Sequence, residues 1–292
     1  MSIHTLVDRL CGRLHDTAQY TTQGATLFVD LENRKTRRKY LPADVLTHFL
    51  GGRGANMWLL YNLLQEEKDA LDPEVPLIFG SGVLTSVMPS ATRGNFTSKS
   101  PESYAILDAN GGDYFPSFLK RHGYDHLVLY GKAAQWTLLR IALGEVTFED
   151  ATPYAGLDNL DTAAAVERDF NCKERKDMAL ARITSAGENG VLCAGIMGGI
   201  KAIWARGGGG AKMGAHNLKA IMVHGRPPEI ALPTDAKAQN KAIGKKITGT
   251  SVIKNALKMV GTPFLYKPSR VLGAMGTKNN QETTWGESLD AD

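Results

Sequence analysis

Four consecutive glycines, Gly207 to Gly210, follow Arg206 and constrain this chain more than any other stretch. Glycine adopts positive φ without a steric penalty, so such a run lets the backbone approach another molecule closely and direct N–H groups at an anion. Arg206 and Lys212 would add positive charge to this cradle. Residue types alone leave two interpretations open, an anion-binding loop and a flexible glycine loop.

The composition is that of a globular protein with an excess of glycine. Hydrophobic residues make up 43% and charged residues 22% of the 292 positions, which is ordinary, whereas the 31 glycines exceed the norm of roughly 7%. These glycines cluster, which indicates sites where the backbone contacts a ligand. The formal net charge of +4 suits small anionic ligands and is too small to indicate a nucleic acid partner.

Cysteine usage and hydropathy bear on the compartment. The three cysteines, Cys11, Cys172 and Cys193, are far apart and form no CxxC pair, so we expect ordinary buried thiols at Cys172 and Cys193 and no disulfide framework. This usage favours the cytoplasm. Asp8 and Arg9 interrupt the N-terminal apolar residues, which argues against a signal peptide, and no apolar run approaches the ~18 residues of a membrane span.

The hydrophobic pattern divides the chain into three parts. Residues 1–22 carry apolar side chains at helical spacing and are interpreted as an N-terminal extension, either helical or without fixed structure. Residues 23–228 alternate short strands with turns and a few helices. Residues 229–292 change to a helical pattern with too few apolar positions to fold well alone, so we expect them to pack on the first part or on a partner.

One stretch before the glycine run is predicted as a strand pair. MALARITSAGENGVLCAGIM, which begins at Met178, alternates apolar and polar residues on both sides of a segment from Gly187 to Gly190 with the composition of a turn. We therefore expect two strands there, joined at these glycines.

Seven motifs follow one another along the chain. They are GGRGANMWLLYNLL from Gly51, PLIFGSGVLTS from Pro76, RGNFTSKSP from Arg93, ANGGDYF from Ala109, LKRHGYDHLVLYGKA from Leu119, SAGENGVLCAGIM from Ser185 and RGGGGAKMGAHNLKAI from Arg206. This ordered set closely resembles the first domain of the tungsten-dependent aldehyde:ferredoxin oxidoreductase family. The resemblance covers about residues 24–226 and continues more weakly through GTPFLYK and GAMGTKNNQ.

The resemblance implies both a fold and a cofactor. The fold is α+β, with a strand-rich first domain of two antiparallel sheets and helices, residues 23–228, followed by the truncated start of a helical second domain, residues 229–292. The first domain would be the base for a bis-pyranopterin that holds tungsten or molybdenum together with magnesium. Such a cofactor carries phosphates, so the protein must supply backbone amides, an arginine and an oxygen ligand for magnesium.

Motif matches assign the contacts residue by residue. Arg93 matches the family's pterin-contacting arginine, while Asn110 and Gly112 match a turn that contacts pterin or magnesium, with Asn110 as the metal ligand. The phosphate-side glycine segment is matched by Arg206, Gly207, Gly208, Gly209 and Gly210. From residue types alone, Arg93 could instead be an exposed charge that balances Glu102, and ANGG an ordinary turn.

Two departures from the family pattern bear on function. Many members carry an arginine–alanine pair where this chain has Ala202 and Ile203, and Lys201, one residue away, is the candidate to replace the arginine as a point charge. The family's cysteine ligands for a 4Fe–4S cluster have no counterpart here. His216 lies near the inferred site and is interpreted as a surface histidine, and Glu188 as a structural residue.

Three functional interpretations remain. The first is the pterin-binding portion of an oxidoreductase that oxidises an aldehyde to a carboxylic acid, passes electrons to ferredoxin or an iron–sulfur subunit, and needs a partner chain or further domains. The second is a non-catalytic shortened paralogue that binds pterin or another anion, or assists assembly. The third is an α+β interaction protein with a relict loop.

Overall fold

The computed structural model describes residues 1–283. By its internal contacts the chain separates into two compact units, Met1–Ala231 and Leu232–Asp292. The last residues of the predicted helical segment, 284–292, lie outside the described residues.

The first unit contains a six-stranded sheet in the spatial order β2-β1-β6-β3-β4-β5. Strands β1 and β6 are parallel, and every other neighbouring pair is antiparallel. The strands are β1 (Ala25–Asp30), β2 (Lys35–Lys39), β3 (Leu77–Ser81), β4 (Gly94–Lys99), β5 (Ile106–Gly111) and β6 (Tyr124–Tyr130).

A second six-stranded sheet has the order β11-β10-β9-β12-β7-β8, with β12 and β7 as its parallel pair. Its strands are β7 (Thr137–Ala142), β8 (Glu145–Asp150), β9 (Met178–Arg182), β10 (Ile196–Met197), β11 (Ile203–Trp204) and β12 (Leu218–His224). The α+β class with two sheets is confirmed. Each sheet is mixed, however, because one strand pair in each is parallel.

Helices cover the outer faces of the two sheets. The apolar face of α1, with Leu6 and Leu10, packs with α2 and α3 on the first sheet at Phe28 and Val128. Helix α5 packs on the second sheet through Val166. The helices of this unit are α1 (Ile3–Cys11), α2 (Ala43–Phe49), α3 (Gly52–Leu63), α4 (Phe115–Arg121), α5 (Asn159–Asp169), α6 (Ser185–Glu188) and α7 (Gly209–Ala215).

The main core lies between the two sheets. It combines side chains of β1, β3 and β6 with those of β7, β9 and β12, among them Leu127 and Ile221. Because helices bury the outer faces as well, the central strands β1, β3, β6 and β9 are buried along their whole length. This explains why these strands have nearly continuous apolar sequences.

The predicted strand pair at residues 178–197 is only partly present. Strand β9 ends at Arg182, and residues 185–188 form the short helix α6. A Cβ atom on Gly187 would lie 2.8 Å from the carbonyl oxygen of Gly210, so α6 approaches α7 at backbone distance. This close packing overrides the local alternation, which a tertiary contact can do.

The second unit contains helices α8 (Thr234–Gly249) and α9 (Tyr266–Val271), with short helical turns at Ile253–Leu257 and Thr262–Leu265. Residues 232–283 include no buried side chain, so this unit has no core of its own among the described residues. Within residues 1–283 no helix combines the length and the apolar character needed to cross a membrane.

Trp204 of β11 joins the two sheets at their edges. Its indole is 1% exposed, its ring lies edge-on to Phe79 and Phe115, and its Nε1–H donates to the Gly94 carbonyl oxygen at 3.2 Å. Gly111 of β5 lies so close that a Cβ atom there would be 2.6 Å from the indole. The residue therefore fixes β11 of the second sheet against β4 and β5 of the first.

We predict that Trp204→Ala lowers the free energy of unfolding by ~3–5 kcal/mol, because it removes a large buried ring and leaves a cavity. Urea unfolding followed by circular dichroism measures this. The control, Tyr61→Ala, changes a side chain that is 77% exposed and should alter stability by ~0.5 kcal/mol or less. Equal small effects of the two substitutions would contradict the role of Trp204.

Candidate functional site

A concave cleft of about 460 Å³ opens where the edge strands β5 and β11 of the two sheets meet. Small-molecule sites usually measure roughly 300–1,000 Å³. The lining residues are Thr92, Arg93, Asn110, Gly111, Gly112, Asp113, Lys201, Ala202 and Ile203. Three separate segments thus contribute, namely the start of β4, the end of β5 and the turn into β11.

Four residues predicted from the sequence line this cleft together. They are Arg93, Asn110, Gly112 and Lys201. Arg93 and Lys201 are exposed, and neither side chain forms an ion pair within residues 1–283. The proposed pairing of Arg93 with Glu102 is therefore not formed. Two cations without a protein counter-ion are left at one concave surface, which favours a negatively charged ligand there.

Glycines at the end of the β4–β5 pair shape the floor. Gly94 and Gly111 face each other in the register, and a Cβ atom on Gly94 would lie 2.6 Å from Pro116 Cγ. The absent side chains let Trp204 and Pro116 pack directly on the backbone. Gly112 differs, because nothing lies within 4 Å of the position of its absent Cβ atom. Its backbone therefore borders open space at the cleft.

Asp113 and Arg175 belong to the surroundings of the cleft and were missed by the sequence analysis. The Asp113 side chain is 5% exposed, and its Oδ1 accepts from Arg175 Nη2 at 3.0 Å and Nε at 3.3 Å. This hydrogen bond raises the pKa of Arg175, whose guanidinium lies over the Tyr114 ring. The Asp113 Oδ2 atom is buried without a hydrogen-bond partner in the described structure. The sequence signal that could have identified Asp113 is its position directly after the ANGG turn.

The glycine run lies outside the residues that line the cleft. The Gly207 N–H donates to Glu102 Oε2 at 3.2 Å, and the Gly210 N–H donates to the Ala194 carbonyl oxygen at 2.7 Å. A Cβ atom on Gly208 would overlap the backbone of Leu192. The run therefore brings the start of α7 into backbone contact with the 192–195 segment. Arg206 is exposed beside it, and the cofactor-binding role of Arg206 to Gly210 stays a prediction.

Lys212 does not add charge to a cradle, contrary to the sequence-based expectation. Its side chain is fully buried, and Nζ donates to the carbonyl oxygens of Ala70 and Val75. Burial lowers the pKa of Lys212 to about 7, although Asp72 and Asp69 oppose this shift. The lysine ties α7 to the loop before β3 and is a structural residue.

Two other interpretations of single residues were wrong. His216 is fully buried and not at the surface, its Nδ1–H donates to the Gly131 carbonyl oxygen at 2.8 Å, and burial lowers its pKa to about 3. Cys193 is exposed, whereas Cys172 is buried and its thiol pKa is raised by burial. Glu188 accepts from Lys219 Nζ and from the Gly156 N–H, which is a structural role.

Fold and site together define a two-sheet domain with a small cationic cleft at the junction of its sheets. The sequence matches the aldehyde ferredoxin oxidoreductase N-terminal domain over residues 26–225, so the chain belongs to this family. The family resemblance of the seven motifs is thereby confirmed.

Two relatives come from Pyrococcus furiosus. The chain is 34% identical over 221 residues to an aliphatic sulfonate oxidoreductase, WOR-like subunit, covering 72% of this chain and 35% of that protein. It is 34% identical over 207 residues to a tungsten-containing aldehyde ferredoxin oxidoreductase, covering 70% and 34% respectively. The chain thus spans about a third of the length of these relatives.

Among solved structures, the chain resembles a chain of the active site complex BamBC of benzoyl coenzyme A reductase in complex with 1,5-dienoyl-CoA. The TM-score is 0.75 at 24% sequence identity, and the match covers 92% of this chain and 43% of that chain. At this identity the likeness supports the fold.

Lys212 predicts a pH dependence of stability. Between the folded pKa of about 7 and the ordinary lysine pKa of ~10.4, the unfolded chain binds a proton that the folded protein has released. The free energy of unfolding should therefore rise with pH across this window, by at most ~1.4 kcal/mol per pH unit from this group. Lys212→Met should remove that slope, and Lys35→Met, at an exposed position of β2, should retain it. Parallel pH profiles for wild type and Lys212→Met would refute the assignment.

Proposed function

We propose that this chain is the pterin-binding portion of a tungsten- or molybdenum-dependent oxidoreductase of the aldehyde ferredoxin oxidoreductase type. The observation that supports the proposal is the meeting of Arg93, Asn110, Gly112 and Lys201 at one cleft. These residues come from three separate segments of the chain, and the fold brings them to one concave surface. The reaction we propose is the two-electron oxidation of an aldehyde to a carboxylic acid.

The cleft residues fit the phosphate end of a pyranopterin. Arg93 can donate two parallel hydrogen bonds to phosphate oxygens, and Lys201 can act as a point charge beside it. The backbone at Gly112 borders open space, so a flat ligand can lie against it without meeting a side chain. The bound metal would supply the redox chemistry, and these residues would bind and orient the cofactor.

The cleft residues alone provide too few oxygen ligands for magnesium, so the cofactor would have to supply the others. Among residues 1–283, Asp113 is the only carboxylate that lines the cleft, and it is already engaged by Arg175. The same residues hold no group of three acidic, histidine or cysteine side chains suited to a metal. Magnesium keeps several oxygen ligands from water and phosphate. We propose that cofactor phosphates supply most of its ligands and that Asn110 contributes one oxygen.

The remaining functions would lie elsewhere. The three cysteines form no cluster motif, so we propose that the 4Fe–4S ligands, the aldehyde channel and the contact with ferredoxin belong to a further segment or to a partner chain. Free, scattered cysteines support the cytoplasm as the compartment.

A non-catalytic pterin- or anion-binding subunit is the second candidate. Ala202 and Ile203 stand in the cleft where many family members carry an arginine–alanine pair. Lys201 lacks the planar guanidinium that binds phosphate with two hydrogen bonds. Weaker cofactor retention is the expected consequence.

The test is cofactor content after anaerobic expression with tungstate. Tungsten is measured by elemental mass spectrometry and pterin by fluorescence of its oxidised form. We expect Arg93→Ala to lower pterin occupancy about tenfold, since a hydrogen bond between charged groups contributes ~1.5–3 kcal/mol, while the melting temperature stays nearly unchanged because Arg93 is exposed.

Lys35→Ala is the matched control, because it removes an exposed cation from β2 at the far edge of the same sheet. Wild-type protein that carries neither pterin nor tungsten would refute cofactor binding by this chain. Equal losses of occupancy and stability in Arg93→Ala would assign Arg93 a structural role.

A further inference from the structure

A row of side-chain amides leads from the cleft into the core. Asn95 of β4 is 3% exposed and lies opposite Asn110 of β5 in the strand register. Its Nδ2 donates to Asp108 Oδ1 at 2.5 Å, and its second hydrogen is shared between the Ala109 carbonyl oxygen and Asn110 Oδ1, each at 3.3 Å. The buried amide of Asn95 therefore contacts the side chain of Asn110, the proposed cofactor ligand, on the side away from the cleft.

The row continues on the inner side of Asn95. Its Oδ1 accepts from Asn56 Nδ2 at 3.0 Å and from Thr97 Oγ1 at 2.5 Å. The Asn56 Oδ1 in turn accepts from His126 Nδ1 at 2.8 Å. A Cβ atom on Gly80 would lie 2.6 Å from His126 Nδ1, so the glycine in β3 leaves the space that this contact occupies.

Asp108 determines the direction of these hydrogen bonds. Its Oδ2 accepts from Arg53 Nε at 2.9 Å, which holds the carboxylate in place. An ionised carboxylate only accepts hydrogen bonds, so the Asn95 atom that faces it at 2.5 Å must be the amide nitrogen. The Asn95 oxygen is thereby turned inward, toward Asn56 and Thr97.

The inner end of the row agrees with this direction. Asn56 donates from Nδ2, so its oxygen faces His126, whose Nδ1 must then carry the proton. Burial lowers the pKa of His126 to about 4, which leaves the ring neutral at pH 7. Its Nε2 is correspondingly a buried acceptor, without a partner in the described structure.

The outer end of the row is Asn110. Because Asn95 presents an N–H group, the atom of Asn110 that faces it is the oxygen. The amide nitrogen of Asn110 then points away from Asn95, and it donates to no atom within residues 1–283. The residue is exposed and lines the cleft.

We infer that Asn110 presents its side-chain N–H groups to the cleft and binds an acceptor oxygen of an anionic ligand, with Asp108 and Asn95 as the residues that position it. This rests on the proposed function and sharpens it. The Asn110 side chain then serves as a hydrogen-bond donor to phosphate and not as a ligand of magnesium, because its oxygen faces Asn95. Arg53 of the GGRG motif contributes by holding Asp108.

A measurement without ligand tests the orientation itself. In this chain labelled with ¹⁵N, the Asn95 side-chain amide should exchange slowly with solvent and the Asn110 side-chain amide rapidly. Asp108→Asn should accelerate exchange at Asn95, because the carboxylate that orients it is gone. Rapid exchange at Asn95 in the wild type, or protection at Asn110, would overturn the inference whatever the ligand.

Titration calorimetry with inorganic pyrophosphate, with and without Mg²⁺, tests the recognition. Asn110→Asp replaces the N–H donors by a charge and should weaken binding at least tenfold under both conditions. Asn110→Gln retains the donors and should lose less. A gain in Mg²⁺-dependent affinity for Asn110→Asp would show the side chain acting as a metal ligand and would overturn the inference.

Asp108→Asn should weaken pyrophosphate binding severalfold while changing the melting temperature little. A drop in stability with unchanged affinity would assign Asp108 a purely structural role and overturn its positioning role. Asn255→Asp, the same change at an exposed asparagine of the second unit, is the control and should leave binding unchanged.

Arg93→Ala and Lys201→Ala separate this inference from the proposed function. If both weaken pyrophosphate binding and Asn110→Asp does not, the inference is wrong and anion binding at the cleft stands. If the wild type binds no pyrophosphate and purifies without pterin, the proposed function and the ligand role of Asn110 are both overturned.

Discussion

The packing of Trp204 on two glycines is the contact on which the rest of the site depends. Two sheets that share a core could meet at their edges in many ways, and the indole selects one because Gly111 and Gly198 have no side chain and allow it to lie directly on the backbone. Trp204 thereby brings β11 to the ends of β4 and β5. The cleft is the space left beside this contact, and its cations, Arg93 and Lys201, reach it from the two sheets.

Charge placement distinguishes the cleft from the interior. Each of three buried cations elsewhere has an acceptor within the protein. Lys120 pairs with Asp125, Arg182 pairs with Glu174, and Lys212 donates to two carbonyl oxygens. Such partners are required because an unpaired charge in a low-dielectric interior is costly. Arg93 and Lys201 can remain unpaired because they are exposed to water. A ligand that displaces this water must supply the missing negative charge, which is why an anionic ligand fits.

The polar row behind Asn110 adds orientation to this charge. An asparagine on the surface can rotate its amide at little cost, whereas Asn110 is contacted from behind by a buried neighbour whose own direction is set by a carboxylate. Its donors are therefore ordered before a ligand arrives, which reduces the entropy lost on binding. The buried amides are themselves paired, so this order does not leave them without hydrogen bonds.

The sequence alone determined the family, the α+β class and four of the residues that line the cleft, because motifs such as ANGG and the RGN strand start are local patterns. It misjudged Lys212 of α7 and His216, which directly follows this helix, because their spacing gives no sign that both are buried. It also missed the pairing of Asp113 with Arg175, because these two residues lie 62 positions apart in the sequence. It also predicted a strand pair where Gly187 packs on Gly210. Only the tertiary structure decided these points, because burial, backbone approach and the direction of a hydrogen bond depend on atoms contributed by remote segments.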